Sequence, residues 1–238
     1  MNVALCLSGQ PRSVERAYPY ILENIILPND ADVFVHAWAD DRLRGGQPLA
    51  ACGAIASDVI PENIEDVIIN LYEPEDYIFE EQIEFDVKNY NERKAPMIKP
   101  QNSQSQWFSV RECFNLIDET KYDVIIRARF DWALKDKVYV SDYPLPTIKC
   151  PNDCPHPGGI NDQFAFGHTE DMMIYGSLFD HMDYVYNVQG VRYCDEQLLF
   201  RHLQNHGIIC SPQTFNYEIM RFAPDLHGRY EGDFYEES

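Results

Sequence analysis

Apolar and polar residues fall in blocks along the first half of the chain, and the blocks predict strands and helices in turn. Val3–Leu7 is a short unbroken apolar run, the pattern of a strand buried on both faces. Ser8-Gly9-Gln10-Pro11-Arg12 reads as a turn, with Ser13 placed to cap a helix running to about Leu27. Asp32–Trp38 predicts a second strand, and Gly45-Gly46 opens a looser segment. Pro61 fits the first turn of a helix through Ile69, and Asp76–Phe79 fits a third strand. Lys88–Ser103 is polar, holds two prolines and lacks a period, so it predicts a long loop. Trp107, Val110, Phe114 and Ile117 recur at helical spacing and predict a helix over Ser105–Ile117. Then comes Tyr122–Asp131, in which the β-branched run Val124-Ile125-Ile126 leads directly into Arg127, Arg129 and Asp131.

The second half has shorter blocks. Val138-Tyr139-Val140 and Gln163–Gly167 predict short strands. Thr169 is placed to cap a helix whose first turn holds Glu170 and Asp171. Cys194–His206 predicts a helix closed by Gly207, and Ile208–Cys210 a final strand. Strand–helix alternation predicts an α/β sheet with covering helices. No internal repeat and no dividing linker is visible, so residues 1–238 read as a single domain.

Composition narrows the function classes. With 45% hydrophobic and 13% aromatic residues the chain can build a real core, which argues against general disorder. Nineteen basic against 39 acidic residues leave a net charge of −20. That balance argues against nucleic acid as a partner, whose binding rests on Lys and Arg neutralising phosphates. It leaves room for a small anion in a local basic pocket. No stretch has the roughly 20 apolar residues that span a bilayer, and Met1–Leu7 lacks a basic leader, so a soluble cytoplasmic protein is expected. Seven scattered cysteines fit reduced thiols. Cys150-x3-Cys154-x-His156 offers three zinc ligand types, but no fourth follows at standard spacing and prolines interrupt it, so a reduced loop is the expectation.

Candidate chemistry gathers at strand ends. Alternation along an extended chain puts Arg127, Arg129 and Asp131 on one side, as for a phosphorylated ligand with a metal ion on the carboxylate. A structural ion pair between Asp131 and one arginine is the plainer alternative, and it leaves the second arginine unexplained. Ser8-Gly9-Gln10-Pro11-Arg12 lies at the carboxyl end of the first strand, where open α/β sheets bind ligands. There Gly9 permits close approach, Ser8 and Gln10 can hydrogen-bond a base or ribose, and Arg12 can meet a phosphate. His36 and Trp38 point the same way and are either core packing or a pocket wall. Asn161, Asp162 and Gln163 follow a glycine turn and can orient a polyhydroxyl substrate, or simply form the turn. Asp195 and Glu196 suit either a helix dipole or a catalytic base. His227 in the polar tail is a further, weaker metal candidate. No Gly-x-Gly-x-x-Gly and no Walker loop is present.

Taken in order, these motifs resemble a known family. Ser-Gly-Gln-x-Arg follows the first strand and His-x-Trp ends the second; Tyr-Asp-x-x-Ile-Arg-x-Arg-x-Asp, Asn-Asp-Gln-Phe-x-Phe-Gly and an acidic helix start come after. The set is similar to GT-A-type glycosyltransferases of virus-encoded and bacterial surface-polysaccharide systems, over most of residues 1–206. The resemblance implies a GT-A-like, Rossmann-like domain with a mixed, mainly parallel sheet. Residues 1–131 would bind the nucleotide sugar, and 132–238 would bind acceptor and carry catalysis. It implies a sugar moved from a nucleotide diphosphate sugar to a hydroxyl on a glycan or glycoprotein. Ser8, Gly9 and Arg12 would contact the nucleotide, Asn161 and Asp162 would face sugar or acceptor, and Asp195 or Glu196 would sit near the base position. The family's strand-end Asp-x-Asp holds Mn²⁺ or Mg²⁺. Here Asp131 matches its last acid and Arg129 stands in the other acidic position, so an arginine can take over part of the metal's charge. Two rivals remain: a non-catalytic nucleotide- or carbohydrate-binding module on the same fold, and a nucleotidyltransferase.

Overall fold

The computed structural model describes residues 1–40, 60–90, 93–95 and 98–220. The predicted segment at Gly45-Gly46 and the candidate ligand His227 lie outside the described residues. Nine strands are described: β1 Val3–Gly9, β2 Asp32–Trp38, β3 Asp76–Glu80, β4 Val124–Ala128, β5 Trp132–Leu134, β6 Ile148–Pro151, β7 Phe164–His168, β8 Cys210–Gln213 and β9 Tyr217–Ile219. The helices are α1 Val14–Ile21, α2 Leu27–Asn29, α3 Ile64–Tyr72, α4 Pro100–Asn115, α5 Thr169–Gly176, α6 Leu178–Asp183 and α7 Asp195–Asn205. A π-helical turn, Leu22–Ile26, joins α1 to α2.

Seven strands form one sheet in the order β3-β2-β1-β4-β7-β6-β8, and β5 pairs with β9 beside it. β3, β2, β1 and β4 run parallel; β7 runs against β4 and β6, and β8 is parallel to β6. Among the described strands of that sheet β7 alone is reversed, so this is the mixed, mainly parallel α/β sheet that the sequence implies. Period-two alternation sorts side chains between two cores. Leu5, Leu7, Ile126 and Ala128 face the core that α1 and α3 cover. Cys6 and Ile125 face the other, beneath α4 to α7. With both faces covered, the central strands are mainly apolar, with the buried His36 in β2 and Arg127 in β4 as exceptions near their carboxyl ends, and each fully buried Leu, Ile or Phe contributes about 1.5–3 kcal/mol.

Several expectations need correction. Residues 100–103 belong to α4 rather than to a loop: Pro100 sits in the helix's first turn, where its missing N–H costs nothing. The pattern hid this because the helix buries polar residues. Gln104 donates to the Tyr193 hydroxyl at 2.9 Å, and Ser109 meets His36 at 2.7 Å. Ser13 occupies the cap position of α1 in a left-handed conformation, φ 54°, where its hydroxyl accepts no bond from the helix N–H groups and instead donates to the Met220 carbonyl. Pro61 precedes α3 rather than opening it, and that helix runs on to Tyr72. Residues 138–140 form no strand: a 3₁₀ turn, Val140–Asp142, follows a bond from the Val138 amide to the Asn24 carbonyl. Thr169 begins α5 rather than capping it, and its hydroxyl donates to the Tyr122 carbonyl at 2.8 Å.

Behind the sheet, His202 of α7 is buried, with Nε2 2.8 Å from the Ile174 carbonyl and 3.2 Å from the Ser177 hydroxyl. The rings of His181, on α6, and His206, after α7, lie 4.8 and 5.0 Å from it. Burial pushes His202 down to about 4, from about 6.5 in an unfolded chain. Between those values the unfolded state binds more protons, so acid favours unfolding. We expect this site to stabilise the fold fully above about pH 6.5 and to lose up to ~3 kcal/mol as pH falls through 4. Urea unfolding at pH 7 and pH 4.5 checks this, and His202→Leu should flatten that part of the profile.

Candidate active site

Register fixes which loops meet. Ser8 lies opposite His36, Gly9 opposite Ala37, and Leu7 opposite Ala128. Because β7 is reversed, Ala128 at the end of β4 faces Phe164 at the start of β7. The loops leaving β1, β2 and β4 and the loop entering β7 therefore share one edge of the sheet, the edge where ligands of open α/β sheets bind.

The loop after β1 is tightly built. Gly9 has φ +114°, which favours glycine, and a Cβ there would enter open space. The Arg12 guanidinium donates to the Gln10 side-chain oxygen, and the Arg12 amide donates to the Gln10 carbonyl at 2.8 Å. The Ser8 hydroxyl is buried and has no hydrogen-bond partner among the described residues. An orphaned buried hydroxyl is costly, so this atom is suited to a ligand group.

At the end of β4 the two arginines part company. Arg127 is fully buried on the α4 side, and its guanidinium donates to the Asp162 carbonyl. The strand stops at Ala128, and a turn closes with the Trp132 amide bonded to the Arg129 carbonyl at 3.2 Å. Alternation ends there, so the single open pocket holding both arginines is not what the chain builds. Arg129 is partly exposed and pairs with the buried Asp131 carboxylate at 2.7 Å. The Met220 amide, in turn, donates to the Asp131 carbonyl at 2.8 Å.

His36 and Trp38 are core residues in this fold. His36 is fully buried, Nδ1 2.7 Å from Ser109 and Nε2 2.8 Å from Glu80. Burial lowers its pKa against the pull of Glu80. Trp38 is buried, edge-on to His36 and stacked on Phe108 at 5.6 Å. With both ring nitrogens of His36 engaged, the structure favours core packing over a pocket wall for this pair.

The loop before β7 brings Asp162 to Asp195 and Glu196, a consecutive pair more than thirty residues further along the chain. Asp162 is buried; its backbone carbonyl accepts from Arg127 and from the Tyr175 hydroxyl at 3.3 Å, and its carboxylate accepts from Gln106. Asp195 begins α7 and accepts from the Ser103 hydroxyl at 2.9 Å and the Trp107 indole at 3.2 Å. Burial, then the charges of Asp162 and Glu196, push the Asp195 carboxyl up to about 8. Burial and Asp162 also raise Glu196. Asn161, beside them, donates to Asp153 at 3.1 Å and accepts from the Gln163 amide at 2.9 Å, which fixes the loop. The Gln163 side-chain oxygen is buried with no partner among the described residues.

Gly159 sets the distance between this loop and α7. A Cβ there would lie 2.8 Å from the Glu196 carbonyl carbon, which is backbone and cannot swing aside. Gly159→Ala is expected to cost ~1–3 kcal/mol in a urea titration, from overpacking alone.

The sequence motifs did not point to Ser103, Gln106 or Trp107. Trp107 lies on the apolar stripe of α4, and its indole N–H, turned to Asp195, gave no periodic signal. Nor does the spacing Cys150-x3-Cys154-x-His156 act as one unit: Cys150 is buried in β6, and the Cys154 thiol donates to the His156 carbonyl at 3.3 Å.

The end of β4 was also expected to hold Mn²⁺ or Mg²⁺. Among the described residues of that turn Asp131 is the one carboxylate, and it is already bonded to a guanidinium. Such cations take several oxygen ligands. This donor set does not fit a two-carboxylate cradle.

No protein-family model and no curated protein matches the chain. Among solved structures, mouse xyloside xylosyltransferase 1, in its apo form, aligns over 89% of this chain and 84% of its own, with 11% identity and a TM-score of 0.43. The apo form of the glycosyltransferase GlyE of Streptococcus pneumoniae TIGR4 aligns over 88% of this chain, with 10% identity and a TM-score of 0.47. This chain spans 44% of that second structure's length. Likeness at this level does not transfer an activity. No described helix is long and apolar enough to cross a membrane.

Proposed function

We propose that this chain is a glycosyltransferase that moves a sugar from a nucleotide diphosphate sugar to a hydroxyl of a glycan or glycoprotein. One observation carries the reading: the β1 loop, the Arg129–Asp131 pair and the Asp162 loop share one edge of the sheet. The β1 loop offers Ser8, Gln10 and Arg12 to the nucleotide. Arg129 neutralises the departing diphosphate, a fixed positive charge aimed at charge that develops in the transition state. Asp162 takes the acceptor proton. It suits that role by placement: its loop joins β7 beside the β4 turn and one α4 side chain, Gln106, donates to its carboxylate, whereas the Asp195 carboxylate at the start of α7 is held by two, Ser103 and Trp107. Charge supplied by Arg129 also accounts for the missing first acid of Asp-x-Asp, and no step is routed through a metal ion.

Calorimetric titration with UDP, GDP and TDP, with and without Mn²⁺, tests the donor site. Binding of at least one nucleotide is expected, at an affinity changed less than about threefold by chelator. No binding to any of the three sinks the reading. The Arg129–Asp131 pair also suits a binding module without catalysis. Release of free sugar from the bound donor, slowed by Arg129→Met, separates the enzyme from that module.

A further inference from the structure

His156, Cys194 and Glu196 stand apart from the donor-side residues, and their chemistry is of another kind. The three present a ring nitrogen, a sulfur and a carboxylate oxygen, all within 4.8 Å of one another. The Cys194 thiol donates to the Glu196 carboxylate at 3.0 Å, and His156 Nε2 lies 4.0 Å from the same oxygen. Ligands on a tetrahedral ion with bonds of about 2.0–2.3 Å stand roughly 3.3–3.7 Å apart. The 3.0 and 4.0 Å separations lie within about half an ångström of that range, and the widest must close by roughly 1 Å, which side-chain rotation can supply.

We infer that His156, Cys194 and Glu196 form a three-ligand Zn²⁺ site with a water in the fourth position. Imidazole and thiolate together select zinc over the hard cations Mg²⁺ and Mn²⁺, which prefer oxygen. The charge balances: a thiolate and a carboxylate neutralise the dication, and the Cys194 proton leaves to solvent when the metal binds. The surroundings hold the ligands in place without the ion. The Gln197 side chain donates to the Pro157 carbonyl at 2.8 Å, and the Ile160 amide to the Glu196 carbonyl at 3.2 Å. The Gly159 amide donates to the His156 carbonyl at 3.1 Å. The loop carrying His156 is therefore already fastened to the start of α7, where Cys194 precedes the helix and Glu196 lies in its first turn. The site goes beyond the proposed glycosyl transfer and needs none of the donor-side residues.

The test uses the full chain, stripped with chelator and then titrated with Zn²⁺ or Co²⁺. One equivalent of metal retained per chain is expected. The Co²⁺ form should show a thiolate-to-cobalt charge-transfer band, and Zn²⁺ should raise the melting temperature. Cys194→Ser should abolish the band, and His156→Ala should weaken Zn²⁺ binding by at least ~100-fold. His156 lies on a partly exposed loop, so that variant should fold, which the melting temperature of its metal-free form will check. Three results would each overturn the site: no retained metal, a Co²⁺ spectrum without the band, or affinity unchanged in His156→Ala. Nucleotide titration of the stripped protein reads the donor site separately, so failure of one reading leaves the other distinguishable.

Discussion

Asp162→Asn is expected to lower turnover by about 10²–10⁴-fold, the range over which general acid–base catalysis acts. The nucleotide's dissociation constant should move less than about threefold, because the change is at the acceptor side of the edge. The substitution preserves shape. The backbone carbonyl that accepts from Arg127 and Tyr175 is untouched, and the new amide can still meet Gln106 through its oxygen. Only the ability to take a proton is lost. The measurement is initial rates of sugar transfer, or of donor hydrolysis where no acceptor is in hand, beside a calorimetric affinity for the nucleotide. A variant within threefold of the parent rate would remove Asp162 from the chemistry and return the role to Asp195 or Glu196.

The second large effect concerns Arg127. Arg127→Ala is expected to destabilise the fold by ~3–5 kcal/mol, by urea unfolding. Two losses add: a cavity beside β4, where the side chain was fully buried, and an Asp162 carbonyl stripped of its charged donor. Arg127→Met separates them. It fills most of the volume and removes a buried charge whose desolvation is costly, so stability should recover to within ~2 kcal/mol of the parent. Turnover should not recover, because the Asp162 loop still lacks its anchor. If Arg127→Met restores both, the guanidinium is filling space and positions nothing.

How much of this could be read from the residues follows physical lines. Strands β1, β2 and β4 were legible because strands buried on both faces must be apolar along their length. Residues 100–104 of α4 were not, because buried side chains such as Ser103 and Gln104 find partners across the fold, and periodicity counts them as exposed. Strands β5 and β9 are three residues each, too short to carry a period. Asp162, Asp195 and Glu196 were each visible as candidates, but their meeting depends on β7 running backwards, which local pattern does not encode. His36 and Trp38 show the opposite case. Polar chemistry at a strand end drew attention as a site, whereas Ser109 and Glu80, distant in sequence, satisfy the ring and leave it in the core.

The place of β1 in the sheet also bears on how the chain reaches its native state. Its two edges are covered by β2 and by β4, and the second pairing joins Val3 to Val124, across more than half the chain. Loop-closure entropy must be met before that contact gives anything back, and sheets dominated by such distant parallel pairings assemble slowly. Until residues 124–128 arrive, β1 and β2 present an apolar strand edge to solvent. Aggregation during refolding is therefore set by how fast that edge is covered, and a lower protein concentration should raise the refolding yield.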